Sequence, residues 1–274
     1  MATRTLRVGP WSVAFQDLDP ALAHALDARW GPFVEAGAAA GLAVRVGEAA
    51  PGATLAPWGQ GERYRMEAVP GPGIPAVRSY GFVLAHAGPG VFTLDLLGES
   101  EERADRRMDN AARLLVARLA LEAGGFALHG AAVLEEGRAR VLAGPSRAGK
   151  TTAVTALGWP SLGDDFAVLL PARRRRWVAA ATPFDNREAV FPTAPTGTWP
   201  LTAIWRLEQG AGGALRPLGT AAAAAMLSAC AAFPWALPDL ADSLVAATVR
   251  CAGEVDCGVL TFARDTDLRG LLAG

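Results

Sequence analysis

Residues 144–151 read Gly144-Pro145-Ser146-Arg147-Ala148-Gly149-Lys150-Thr151. The stretch fits G-x-x-x-x-G-K-[ST]. It stands between an apolar run, Val141-Leu142-Ala143, and a helix pattern over 149–157, the context in which this motif holds phosphates. Its glycines let successive backbone N–H groups turn inward as an anion nest, and the helix N-terminus adds partial positive charge. Lys150 is then placed to reach the β- and γ-phosphates as a compact charge, and Thr151 offers its hydroxyl to magnesium. On this reading Gly144, Pro145, Ser146, Arg147, Ala148, Gly149, Lys150, Thr151 and Thr152 line a site for ATP with Mg²⁺.

The composition sharpens the reading of Lys150. Of the 26 basic residues Lys150 is the lysine and the rest are arginine. An ammonium kept in an arginine-rich chain points to a site that needs a flexible point charge and not a planar guanidinium. Against 27 acidic residues the net charge is −1, so no global basic field draws nucleic acid or anionic lipid. With 51% hydrophobic and 19% charged residues in 274, the chain has material for a packed core and for about two domains. Three cysteines, Cys230, Cys251 and Cys257, are too few to staple this length and suit a reducing cytoplasm. The longest apolar run, 221–233, is mostly alanine, holds Ser228 and stops at Pro234, short of a bilayer span. No apolar stretch of signal-peptide length follows the N-terminus.

Outward from the loop, strands are expected over 126–134 and 138–143, joined by a Glu135-Glu136-Gly137 turn, and beyond the helix over 161–170, 177–181, 201–207 and 258–262. Helices are expected over 220–233 and 265–272. A longer helix over 99–122 precedes them, with Ser100 as cap and Met108, Ala112, Leu115 and Leu119 as its apolar stripe; Gly124-Gly125 ends it. Before residue 99 the text is strand-like runs at 7–15, 42–46, 63–69, 77–85 and 91–97, with one helix over 19–30 capped by Asp19. This order predicts an α/β fold: a smaller mixed α/β N-terminal domain over 1–98 and an ATP-binding domain over 99–274.

Two further features carry chemistry. Asp164 and Asp165 follow Gly163 and precede the apolar run 166–170. Adjacent carboxylates at a strand are costly without a cation between them, and Mg²⁺ bound to nucleotide supplies one. They also allow a division of labour, one on the metal and one taking a proton from an attacking hydroxyl. His129 lies in a strand that neighbours the one feeding the loop, which directs it toward the γ-phosphate or an aspartate.

Taken together, the run 110–121, Gly124-Gly125-Phe126-Ala127-Leu128-His129-Gly130, the phosphate loop and Gly163-Asp164-Asp165 resemble the HPr kinase/phosphorylase family, closest to its divergent HPr kinase-like bacterial branch. Ala181-Thr182-Pro183-Phe184 and the stretch 201–209 also look like that branch. The resemblance covers about 109 to the C-terminus. It implies a phosphoenolpyruvate-carboxykinase-like P-loop kinase domain and ATP-dependent phosphorylation of a hydroxyl, usually serine. It makes Asp164 the catalytic carboxylate, His129 its assisting histidine and Asp165 the support for the metal. Some members of the branch look like tailoring kinases of ribosomally made peptides, lasso-peptide precursors among them. The partner implied is therefore a peptide or protein with an acceptor hydroxyl, with neither nucleic acid nor membrane expected and a homo-oligomer compatible. Arg147 departs from the pattern, standing where the family usually carries glycine. The phosphorylase signature and the family's regulatory domain are not recognised here.

Arg173–Arg176 reads as a solvated turn, or as a docking patch for an acidic peptide. Arg187 reads as a surface residue or a cation near the transferring group, and Glu188 as an aid to the metal. Rival functions are a kinase of a small hydroxy metabolite and a nucleotide-switched binding protein without transfer.

Overall fold

The chain turns back on itself at Gly9-Pro10. β1 (Ala2–Val8) and β2 (Trp11–Leu18) pair antiparallel with Val8 opposite Trp11, so the single strand expected over 7–15 is a hairpin. The run 77–85 divides in the same way into β6 (Ala76–Ser79) and β7 (Phe82–Gly88), which are antiparallel. Both runs are rich in apolar residues, and hydropathy marks the strands without marking the turn between them. With β3 (Val34–Ala36), β4 (Leu42–Glu48), β5 (Met66–Val69) and β8 (Val91–Leu96) these strands form an eight-stranded sheet. Its order is β3-β1-β2-β4-β8-β7-β6-β5, parallel at β2–β4 and β4–β8 and antiparallel elsewhere.

This computed structural model describes residues 1–37, 40–56, 65–98, 103–145, 147–174, 176–184 and 196–273. It is a mixed α/β protein with two sheets, and the contacts divide it into two units. One is Met1–Leu115 with Phe233–Ala241; the other is Val116–Ala232 with Asp242–Gly274. In the first, α1 (Pro20–Trp30) starts where expected: the Asp19 carboxylate accepts the Leu22 N–H at 2.8 Å. Its last residue, Trp30, packs on Phe15 and donates its indole N–H to Asp109 on α2 (Ala104–Glu122) at 3.1 Å. Residues 99–102, with the expected Ser100 cap, lie outside the described residues.

The second unit holds the other sheet. Its strands are β9 (Phe126–Leu128), β10 (Gly130–Glu135), β11 (Arg138–Ala143), β12 (Ser161–Gly163), β13 (Ala167–Ala172), β14 (Arg176–Ala180), β15 (Thr198–Gln209), β16 (Ala214–Pro217) and β17 (Asp256–Phe262). The main path runs β12-β10-β11-β15-β14-β13-β9, and β17 adds to β15 with β16 beyond it. β15 spans two halves: its first residues pair antiparallel with β14, and its later ones lie parallel between β11 and β17.

The expected strands 126–134 and 161–170 are each broken where the chain passes between these halves. β9 pairs with β13 while β10 pairs with β11 and β12. The links are His129 in one case and Asp164–Phe166 in the other, so two chain crossings meet at one place. Gly163 permits the second link. At φ +151° it lies against Thr182, whose hydroxyl would stand 2.5 Å from a Cβ at that position. Thr182 in turn fixes the bend, taking its N–H to the Leu162 carbonyl at 2.7 Å and its hydroxyl to the Phe166 carbonyl at 3.2 Å.

α3 (Lys150–Leu157) covers one face of this sheet, with Val154 and Leu157 packed among Val133, Leu142, Leu207 and Leu260. Two helix expectations change. α4 (Thr220–Ala229) ends before residue 233 because the chain straightens to pair with β9: Leu128 bridges Ala231, and the Ala232 N–H donates to the Ala127 carbonyl at 2.9 Å. α5 (Ala241–Glu254) occupies a stretch given no element, and α6 (Leu268–Ala273) starts later than expected. Among the described residues no helix is long and apolar enough to cross a membrane.

Candidate functional site

The loop after β11 is held at both ends. The Gly144 N–H donates to the His129 carbonyl at 3.3 Å, and the Ala148 N–H closes a turn on the Pro145 carbonyl at 3.1 Å. From the end of β15 the Gln209 amide donates to the Arg147 carbonyl at 3.0 Å. Gly149 begins α3 at φ +96°, where a Cβ would meet the Phe262 ring at 2.8 Å, so glycine is required both by its backbone angle and by space. Gly149 has no side chain with which to cap α3, and among the described residues no capping hydrogen bond is made there. Arg147 adopts φ +68°, the conformation glycine takes most cheaply, with its side chain exposed. Ser146 lies outside the described residues.

Lys150 is buried, with 7% of its surface exposed. Its ammonium turns back over the loop and donates to the carbonyls of Gly144 at 3.0 Å and Pro145 at 3.1 Å. It also lies 3.1 Å from His129 Nε2 and 3.5 Å from Asp165 Oδ1, while His129 Nδ1 is 3.4 Å from the same Asp165 oxygen. An ammonium has no lone pair, so Nε2 must accept from Lys150, which puts the ring proton on Nδ1 facing Asp165. Lysine, histidine and aspartate thus close a triangle from three separate segments. Asp164, 6% exposed, lies within electrostatic reach of the same ammonium.

Burial pushes the Lys150 pKa below its ordinary value of 10.5, while Asp165 and, more weakly, Asp164 and Cys230 pull it back up. The two effects are the signature of a cation drawn out of water and only partly compensated. Such a group gains from an incoming anion.

The structure therefore brings together Gly144, Lys150, His129, Asp164 and Asp165. Thr151 follows Lys150 on α3 and is partly exposed, and Thr152 is exposed. Arg187 and Glu188 lie outside the described residues, as does Arg175 of the four-arginine run; Arg173, Arg174 and Arg176 are exposed at the β13–β14 turn.

Two residues at the site have no sequence signal of their own. Cys230 arrives because its carbonyl accepts the His129 N–H at 2.8 Å, and its thiol, pushed up by burial, is pulled down by Arg206 and Lys150. Arg206 arrives because it stands beside Ala143 in the parallel β11–β15 pairing. Only backbone pairing between distant segments reveals either of them. Among the described residues no three His, Cys, Asp or Glu side chains form a group that could hold a metal ion by themselves.

No curated protein matches the chain. Residues 98–250, more than half its length and inclusive of the whole Lys150–His129–Asp165 cluster, match the family described as SynChlorMet cassette protein ScmC, and the chain belongs to that family.

Proposed function

We propose that the protein is a P-loop kinase of the phosphoenolpyruvate-carboxykinase-like kind, transferring the ATP γ-phosphoryl group to a hydroxyl, that of serine first, of a peptide or protein. One observation carries the reading. A buried, incompletely compensated ammonium sits over a glycine-bounded loop at the N-terminus of a helix begun by glycine, with a histidine and two carboxylates converging on it. A structural ion pair would need the lysine and one acid; it would not need the glycine-bounded loop or the second carboxylate.

The donor set also fits Mg²⁺. This ion keeps several waters and phosphate oxygens and asks the protein for one or two ligands, here the Thr151 hydroxyl and the Asp165 carboxylate. With nucleotide bound, magnesium would neutralise charge on the phosphates. Lys150 would leave the Gly144 and Pro145 carbonyls for the phosphate oxygens, and the α3 N–H groups would hold the same oxygens. Asp164 would take the proton of the acceptor hydroxyl as that oxygen attacks. His129, its Nδ1–H directed at Asp165, would orient that carboxylate and free Asp164 for the proton.

The test combines binding with transfer. Calorimetry with Mg²⁺·ATP should show binding to the wild type and to Asp164→Asn, and none to Lys150→Ala. Incubation with a serine-containing peptide pool should give phosphopeptides with the wild type and a loss of at least about 10²-fold with Asp164→Asn. Transfer by Asp164→Asn at the wild-type rate would overturn the base assignment. Phosphorylated metabolites in place of phosphopeptides would move the acceptor to a small molecule. Nucleotide binding with no phosphorylated product in any pool would favour a nucleotide-switched binding protein.

A further inference from the structure

The cation beside the loop on the neighbouring strand has no part in the cluster described so far. In the β11–β15 register Arg206 stands opposite Ala143, the last residue before the loop. Trp205 and Leu207 on either side of it pack under α3, so alternation along the strand sends Arg206 and Glu208 to the opposite face. Cys230, whose carbonyl accepts the His129 N–H, lies within electrostatic reach of both the Arg206 guanidinium and the Lys150 ammonium. The two cations therefore flank one spot at the mouth of the loop.

Arg206 is held there loosely. Its guanidinium pairs with Glu208, two residues along the same strand, and both side chains are about half in water, 41% and 40% exposed. A pair this exposed contributes little to stability. Its Nε, by contrast, is buried and has no hydrogen-bond partner among the described residues. An orphaned donor beside a weakly held fork is an arrangement that a phosphate, with several acceptor oxygens, would complete bidentately.

We propose that Arg206 reads the terminal phosphate of the bound nucleotide, exchanging Glu208 for it and so distinguishing a nucleoside triphosphate from a diphosphate. The inference rests on the nucleotide-binding reading of the loop. Glu208 is the resident competitor: it keeps the guanidinium extended when the site holds no triphosphate and releases it when one enters. Arg206 would be a specificity residue of the phosphate site, on the side of the loop away from α3.

The experiment measures affinities of the full chain for the β,γ-imido analogue of ATP and for ADP, both with Mg²⁺, by titration calorimetry. Wild type should favour the triphosphate analogue. Arg206→Gln should weaken that analogue about tenfold, the scale of a lost charge-assisted contact, and leave ADP within about twofold. Arg206→Lys should recover part of the preference, and Glu208→Gln should strengthen the triphosphate by removing the competitor. A merely structural role for Arg206 would weaken both nucleotides together, so an unchanged ratio between them in Arg206→Gln and Arg206→Lys would overturn the proposal. Weaker triphosphate binding by Glu208→Gln would overturn it as well. A wild type that binds both nucleotides, with variants that keep its ratio, would sink this inference alone. A wild type that binds neither would sink the kinase reading and this inference with it.

Discussion

Lys150 is a charge that folding places at a disadvantage. Burial opposes its ammonium more than Asp165 and Asp164 favour it, so its pKa lies below 10.5 in the folded chain. The sign for stability follows from proton counting. Between the lowered value and 10.5 the unfolded chain holds more protons than the folded one, so stability rises with pH across that window and the desolvation cost is fully present below it. Because the chain has a single lysine, isotope labelling of lysine gives one side-chain resonance to titrate. Its midpoint should lie below 10.5 without nucleotide and move upward when the magnesium complex of the imido analogue is added, since nearby phosphate favours the charged form. A midpoint that stays fixed on saturation would place the phosphates away from the ammonium.

Elements differed in how much of them could be read in advance, and the difference tracks the range of the interactions involved. The loop over 144–149 and α3 were legible as structure because spacing, a preceding apolar run and a following helix are all local. So was the start of α1, fixed by Asp19 and Pro20. The breaks at His129 and at Asp164–Asp165 were not, because what interrupts each strand is pairing with a partner far along the chain. Arg206 and Cys230 escaped for the same reason. α5 is another matter: Leu244, Ala247, Thr248 and Cys251 follow helical spacing and bury one face, a pattern present in the sequence but fainter than the alanine run of α4. The two helices are tied by hydroxyls, with Ser228 Oγ 3.0 Å from Thr248 Oγ1, which also donates to the Leu244 carbonyl at 2.9 Å. A double-mutant cycle with Ser228→Ala and Thr248→Val should return a coupling of about 1 kcal/mol in denaturant unfolding. Strict additivity would mean that apolar packing alone holds α5 in place.

At the scale of the whole molecule, the two units bury charge for different ends. Around Lys150 burial outweighs the pull of the neighbouring carboxylates, as the proposed phosphate site requires. In the first unit a buried carboxylate is well compensated: Asp109, with its side chain 3% exposed, takes Arg29 at 2.9 Å, Arg113 at 3.2 Å and the Trp30 indole at 3.1 Å. That arrangement ties α1 to α2 with donors the chain itself supplies. Removing the carboxylate leaves two nearly buried guanidinium groups without their shared counter-charge, a loss of about 3–5 kcal/mol. Asp109→Ala should accordingly lower the denaturant midpoint strongly, while the fraction that remains folded keeps its affinity for the magnesium–nucleotide complex within about twofold. Asp109→Asn, which retains a partner for the indole but not the charge, should fall between. A cost below about 1 kcal/mol for Asp109→Ala would show that water replaces the carboxylate, and with it that the network is as loosely held as the pair between Arg206 and Glu208.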